Sequence, residues 1–284
     1  MRVALKVAYD GRAFYGHQRQ PEVRTVEGEC ILALKAAKIF EDPKEAFFRS
    51  ASRTDRGVSA LGNVIAFNST LGPEATIGAF NDRARDVWAW AAAEVPPTFH
   101  PRRAIERWYR YHLFSQVSLE ALRRASKLFV GEHDFRSFTT DRVDSRLTID
   151  EVAVSRGGRA ILFDVRARSF RRAMVRRIVA AASRCAAGDV DEDEIRTALA
   201  GTHRDFGSVR PEPLFLMDVR YDFPMRPLPS PKVVDEWQSS LDEAEIRLRF
   251  LVSWQAAIAA GSGPIEEVGP SNRLFKLSRP ALEK

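Results

Sequence analysis

The sequence predicts an α+β fold of two pseudo-symmetric, ferredoxin-like α/β units with side-by-side antiparallel sheets, plus a C-terminal helical extension. Three observations carry that expectation. Short alternating strands and amphipathic helices follow the order strand, helix, strand, strand, helix, strand over residues 1–104. The same order recurs over 105–223. After Phe223 the chain becomes proline-rich, then turns into one long run with an apolar stripe. The halves share pattern rather than visible sequence similarity. Three segments are therefore expected: α+β subdomains at 1–104 and 105–223, then a linker and helical appendage at 224–284.

Residues 2–9 alternate as a strand, with Val3, Leu5 and Val7 on one face, and Asp10-Gly11 turns the chain. Residues 14–20, Phe-Tyr-Gly-His-Gln-Arg-Gln, form a loop with aromatic and amide groups together, a mixture suited to stacking on bases or to anchoring a loop. Thr25 is the N-cap of a helix with Glu27 in its first turn. Its apolar face is Val26, Cys30, Ile31, Leu34 and Ala37, and it should end near Phe40. Strands at 47–51 and 62–68 flank a polar loop, and a helix is expected over 74–85. Residues 87–95 carry two signals. Their alanines favour helix, whereas Trp/Ala alternation and the following Pro96-Pro97 favour strand, and strand is the expectation.

The second half opens with an alternating strand at 105–114. Ser118 caps a helix carrying Leu119, Leu122, Leu128 and Phe129. Strands at 146–155 and 159–168 should be joined by a hairpin at Gly157-Gly158. A helix over 170–187 stops at Gly188, and an acidic-headed helix over 192–200 stops at Gly201. A strand at 214–223 closes the half. Residues 224–231 read as a linker, 233–260 as a helix, and the remainder as a Gly/Pro-rich end. The appendage is expected to pack on the body or on a second subunit.

Composition narrows the class. With 45% hydrophobic and 29% charged residues, the chain is that of a globular protein. No apolar run approaches the roughly 18 residues that span a bilayer, and the N-terminal residues read as a strand rather than a signal peptide. Cys30 and Cys185 make no disulfide framework, which points to the cytoplasm. The five histidines have no ligand spacing, so no metal is expected. Net charge is only +6, but arginines concentrate around 49–56, 102–110 and 166–177. A basic surface gathered into patches suggests a polyanion.

The most informative stretch is 49–62, a polar loop between apolar segments. At its centre Asp55 lies between Arg53 and Arg56, with Gly57 behind. Guanidiniums on both sides favour the charged carboxylate. The roles left to it are nucleophile, base or electrostatic anchor.

Seven fragments stand in one order along the chain. They are Tyr9-Asp10-Gly11 with Gly16-x-Gln18-Arg19-Gln20; Arg53-Thr54-Asp55-x-Gly57-Val58-x-Ala60; Phe99-His100-x-Arg102; and Tyr109-Arg110-Tyr111. Gly131-Glu132-x-Asp134-Phe135-x-Ser137-Phe138, Phe170 with Met174-Val175-Arg176, and Leu214-Phe215-Leu216 complete the set. Together they resemble the TruA family of tRNA pseudouridine synthases over about 3–223. The resemblance implies an enzyme that isomerises uridine to pseudouridine in the anticodon stem-loop of tRNA, without cofactor or metal, and in many relatives as a homodimer. It implies Asp55 as the essential aspartate, acting as nucleophile, and Arg176 as the arginine pairing with it. Tyr109 would pack against the target base, Arg53 would fill the gap left by the flipped nucleotide, and Leu214 would line the pocket. Departures exist: His17 stands where the family often has Trp, Ser50-Ala51-Ser52 replaces an Ala-Gly, Ser59 replaces a His, and Arg171-Arg172 replace apolar or His residues. They point to an archaeal or otherwise divergent member.

These residue types suit the chemistry. Breaking the bond from uracil N1 to ribose C1′ builds positive character at C1′. A carboxylate can attack that carbon, stabilise its charge or remove a neighbouring proton, and all three routes stay open to Asp55. The target base must leave its stack. The stripe Arg166, Arg168, Arg171, Arg172, Arg176 and Arg177 would track phosphates. The alternative expectation is a non-catalytic RNA-binding protein on the same scaffold, which would keep the arginines and aromatics but not need Asp55.

Overall fold

The computed structural model describes residues 1–141, 145–228 and 230–260. The chain divides into two units, Met1–Ser230 and Pro231–Lys284. The first unit holds every expected site residue.

Its first strand, β1 (Arg2–Tyr9), is buried over most of its length. The Thr25 hydroxyl accepts from the Gly28 N–H and starts α1 (Val26–Ala36). The helix ends short of Phe40, where Lys38 takes φ 56° in the left-handed region. The loop-flanking strands are unequal: β2 (Arg49–Ser50) has two residues and β3 (Ser59–Asn68) has ten. Then come α2 (Pro73–Arg83) and β4 (Val87–Val95). The alanine-rich run of β4 is a strand because it pairs with β1 from Tyr9↔Val87 to Arg2↔Val95. That ladder overrides alanine's intrinsic preference for helix.

The second half runs through β5 (Glu106–Leu113), α3 (Leu119–Lys127), β6 (Gly131–Asp134), β7 (Arg146–Ile149), β8 (Glu151–Gly157) and β9 (Ala160–Ala167). It continues with α4 (Met174–Ala187), α5 (Glu192–Leu199), β10 (Leu214–Arg220) and β11 (Arg226–Pro227). Caps again follow the residues: Ser118 accepts from the Ala121 N–H, and Asp191 with Glu194 forms a reciprocal capping box. Three features differ from expectation. The strand expected at 146–155 is two, broken at Asp150: β7 pairs with an unanticipated β6 in a small separate sheet, while β8 pairs with β9. Helix α4 begins at Met174 rather than 170, because Ala173 takes φ 58°. The segment read as a linker contributes β11, which pairs with β4.

The two sheets expected side by side are joined into one nine-stranded sheet, ordered β11-β4-β1-β3-β10-β5-β9-β8, with β2 on β3. All pairs are antiparallel except β3 with β10, which meet in parallel at Phe215↔Ser59 and Leu216↔Ala60. The fold is thus α+β with a mixed sheet. On β5, residues 107, 109, 111 and 113 alternate inward, as period-two burial requires.

The described part of the second unit is one long helix, α6 (Pro231–Ala260), with i,i+4 ion pairs at Lys232–Glu236 and Glu245–Arg249. The Gly/Pro-rich end expected after 260 lies outside the described residues. Among the described residues no helix is long and apolar enough to cross a membrane.

Candidate active site

The Asp55 loop hangs between β2 and β3 and is clamped from three directions. From below, the buried Asn63 side chain accepts from the Ser52 N–H and donates to the Ser52 carbonyl and the Tyr9 hydroxyl. Tyr9 in turn shares a 2.9 Å hydrogen bond with Thr54. Burial pushes the Tyr9 hydroxyl well above its usual range, so it stays neutral; the bonds to Thr54 and Asn63 oppose this only in part.

From the N-terminal side, the His17 N–H donates to the Thr54 carbonyl at 3.0 Å. Gly16, at φ 96°, lets the backbones touch, since a Cβ there would lie 3.3 Å from the Arg56 nitrogen. Gly11 is tighter still: a Cβ there would lie 2.2 Å from the Val58 oxygen.

The third clamp comes from β5. The guanidinium of Arg107, buried on the inward face, donates to the Ser52 hydroxyl at 3.0 Å and the Ala51 carbonyl at 3.1 Å. It also reaches the carbonyls of Arg102 and Arg168. These four acceptors tie the loop to both halves without a carboxylate. Sequence reasoning passed over Arg107. The available signal was its parity, since it alternates with Tyr109 and Tyr111 on a face that should be apolar.

Asp55 itself is partly exposed, at 27% of its side chain. Its Oδ2 accepts from Arg176 Nη2 at 2.9 Å across 121 residues of sequence, and Arg172 Nε lies 4.0 Å from Oδ1. Arg176 Nη1 donates to the Val209 carbonyl, which fixes the guanidinium between loop and carboxylate. The left-handed Ala173 sets the start of the helix that carries Arg176.

Tyr109 sits beside the loop through the register. Its strand partners are Leu216 on one side and Val165 on the other, and Leu216 pairs onward with Ala60 at the end of the loop. Burial pushes the Tyr109 hydroxyl up to a pKa of about 12. Its ring lies edge-on to Phe170 at 5.1 Å. Leu214 is buried opposite Tyr111 on the same face. Arg53 is exposed, and its side chain makes no hydrogen bond or ion pair with a described residue.

The basic stripe divides. Arg168 and Arg172 are exposed and Arg171 is half-buried, at the mouth of the Asp55 loop's neighbour α4. Arg177 pairs with Asp205 at 2.9 Å. Arg166 pairs with Glu106 and Glu151 and lies 4.2 Å over Trp108. Its β-partner is Trp108 rather than Tyr109, which puts it on the opposite sheet face from Tyr109. Alternation on β9 separates Arg166 from the others, a point hidden when the arginines are counted along the sequence.

His17, the departure at the family's usual Trp, is buried with neither ring nitrogen bonded to any described residue. Burial first, and the charge of Arg53 second, push its pKa down to about 3. A cavity of about 510 Å³ opens elsewhere, between α2, β4 and β11, and none of its lining residues belongs to the Asp55 loop. Among the described residues no cluster of three or more His, Cys, Asp or Glu could hold a metal.

Comparison with known proteins identifies the family. The model of a family described as tRNA pseudouridine synthase matches residues 125–222. The tRNA pseudouridine synthase A of Thermococcus sibiricus is 43% identical over 227 residues, covering 78% of this chain and 85% of that one. That of Pyrococcus furiosus is 45% identical over 231 residues, covering 78% and 84%. That of Methanococcoides burtonii is 41% identical over 235 residues, covering 79% and 84%. These are archaeal proteins, the kind expected from the departures in sequence. Among solved structures, a Cbf5-Nop10-Gar1 complex matches with a TM-score of 0.35 at 14% identity over 76% of this chain and 49% of that chain, too distant to bear on the site. At the identity and coverage of its sequence relatives, the chain belongs to the TruA family of tRNA pseudouridine synthases.

Proposed function

We propose that this pseudouridine synthase works through Asp55, on a uridine of the tRNA anticodon stem-loop (positions about 38–40) that is flipped out of its stack. The N1–C1′ bond breaks, the uracil turns, C5 bonds to C1′, the proton at C5 leaves to solvent, and N1 takes up a proton, so the product is an isomer of the substrate. Asp55 meets the positive character at C1′, as nucleophile or as the base of an elimination route. The observation that carries the reading is the 2.9 Å pair of Asp55 with Arg176, joined from two halves of the chain at a partly open loop. Arg176 would hold the carboxylate oriented while the base excludes water.

Tyr109 would pack on the everted base, a role supported by its register beside the loop and its edge-on contact with Phe170. Arg53, exposed and without an ion pair to any described residue, would occupy the vacated gap. Leu214 would line the pocket, and Arg168, Arg171 and Arg172 would hold phosphates. Strand orders β4-β1-β3-β2 and β10-β5-β9-β8 support a duplicated ferredoxin-like architecture, with subdomains at 1–104 and 105–223 and an appendage from 224. A cytoplasmic homodimer is the expected form, and light scattering of the purified chain would test the dimer.

Tritium release from [5-³H]uridine-labelled tRNA tests the reaction. Wild-type chain releases label, and Asp55→Ala releases none while retaining tRNA binding. Release by Asp55→Ala overturns the assignment of Asp55. Binding without release by the wild type favours the non-catalytic RNA-binding alternative.

A further inference from the structure

We propose that Tyr15 and Arg56 form a stacking platform for the nucleotide next to the target uridine. The Arg56 guanidinium lies over the Tyr15 ring, 4.2 Å from its centroid. Tyr15 is 49% exposed and Arg56 is exposed. Neither side chain makes a hydrogen bond or ion pair with a described residue. Their neighbours behave otherwise: Arg176 is held by Asp55 and Val209, Arg107 by carbonyls, and Arg24 by Glu29 and Asp86. Arg56 is thus a cation beside the carboxylate at 55 whose five in-plane donors are all unspent.

The pair does not float. The Tyr15 N–H donates to the Arg24 carbonyl at 2.9 Å, and the Gln20 side chain donates to the Tyr15 carbonyl. Next in sequence, Gly16 meets the Arg56 backbone and His17 bonds Thr54. Tyr15 and Arg56 are therefore held in register with Asp55 by main chain, not by their own side chains. A guanidinium with one face on tyrosine offers its other face to a base and its edge to a phosphate or a purine. Flipping a uridine strips a stacking partner from the bases on either side. A fixed π-cation surface one residue from Asp55 would replace that partner for one of them.

The platform rests on the reading that the Asp55 loop receives an everted uridine, and its test separates the two. Tyr15→Leu, Tyr15→Phe and Arg56→Gln are made in the full chain and assayed in single turnover with intact tRNA. Tyr15→Leu and Arg56→Gln should each raise the half-saturating tRNA concentration about tenfold, with saturating rates within about twofold of wild type and unchanged thermal midpoints. Tyr15→Phe should behave as wild type. In a second readout, 2-aminopurine replaces the base 5′ or 3′ of the target. Quenching on binding should appear at one of these positions and vanish in Tyr15→Leu. Half-saturation within about twofold of wild type in both Tyr15→Leu and Arg56→Gln, or quenching that persists in Tyr15→Leu, overturns the platform. Neither result depends on tritium release by Asp55→Ala, which judges the catalytic assignment alone.

Discussion

His17 should make this protein lose stability in mild acid, and His17→Phe should remove that loss. The imidazole is 1% exposed and neither nitrogen bonds to a described residue, so the folded state resists its protonation. Its folded pKa is about 3 against an unpaired value of 6.5. Because the folded value is depressed, the stabilisation is complete above pH 6.5 and is lost as pH falls toward 3. Between pH 8 and pH 5 the linkage amounts to about 2 kcal/mol, and near pH 3 to about 4 kcal/mol. For a unit of this size, 2 kcal/mol lowers the melting temperature by about 4–8 °C. The assay is thermal unfolding of wild type and His17→Phe from pH 8 to pH 5. The larger phenyl ring adds a packing strain of about 1–3 kcal/mol, but that offset is the same at every pH. Carboxylates titrate alike in both proteins, so the difference in slope belongs to His17. Parallel pH profiles, or an NMR titration of the His17 ring near 6.5, would refute the reasoning.

Other perturbations follow from the clamps. Arg176→Ala should leave tRNA affinity within about threefold and slow single turnover by about a hundredfold, the scale of one lost electrostatic contact to reacting charge; a near-normal rate removes Arg176 from the machinery. Arg107→Ala strands the Ala51 and Arg168 carbonyls and should destabilise the chain by about 3 kcal/mol in urea unfolding; a loss under 1 kcal/mol would show the guanidinium to be dispensable. Gly11→Ala forces backbone against the Val58 carbonyl, so both melting temperature and turnover should drop, whereas unchanged turnover would mean that the Asp55 loop tolerates displacement.

Much of the layout was legible because strands and helices write different periods. The alternation of β1 and β5, the caps at Thr25 and Ser118, and the stops near Gly188 and Gly201 are local facts. What was hidden depends on partners far away in sequence. Asp150 splits a strand because its two sides join different neighbours, and β11 exists only because β4 lies beside it. The site divides in the same way. Asp55 and Arg176 were reached through motif order, but their meeting is a tertiary fact. The idle nitrogens of His17 and the four acceptors around Arg107 have no signature beyond a charged or polar residue at an inward position.

The sheet explains why these distant residues can meet at a fixed geometry. The halves meet through one parallel pairing, Phe215↔Ser59 and Leu216↔Ala60, directly after the Asp55 loop. Leu216 carries that register across to Tyr109, and Arg107 on the same strand reaches back to Ser52 and Ala51. The join of the two halves and the anchoring of the loop are therefore a single structure. A perturbation that shifts β10 against β3 must also move Ser52, and with it the carboxylate three residues on, away from the arginine that α4 supplies.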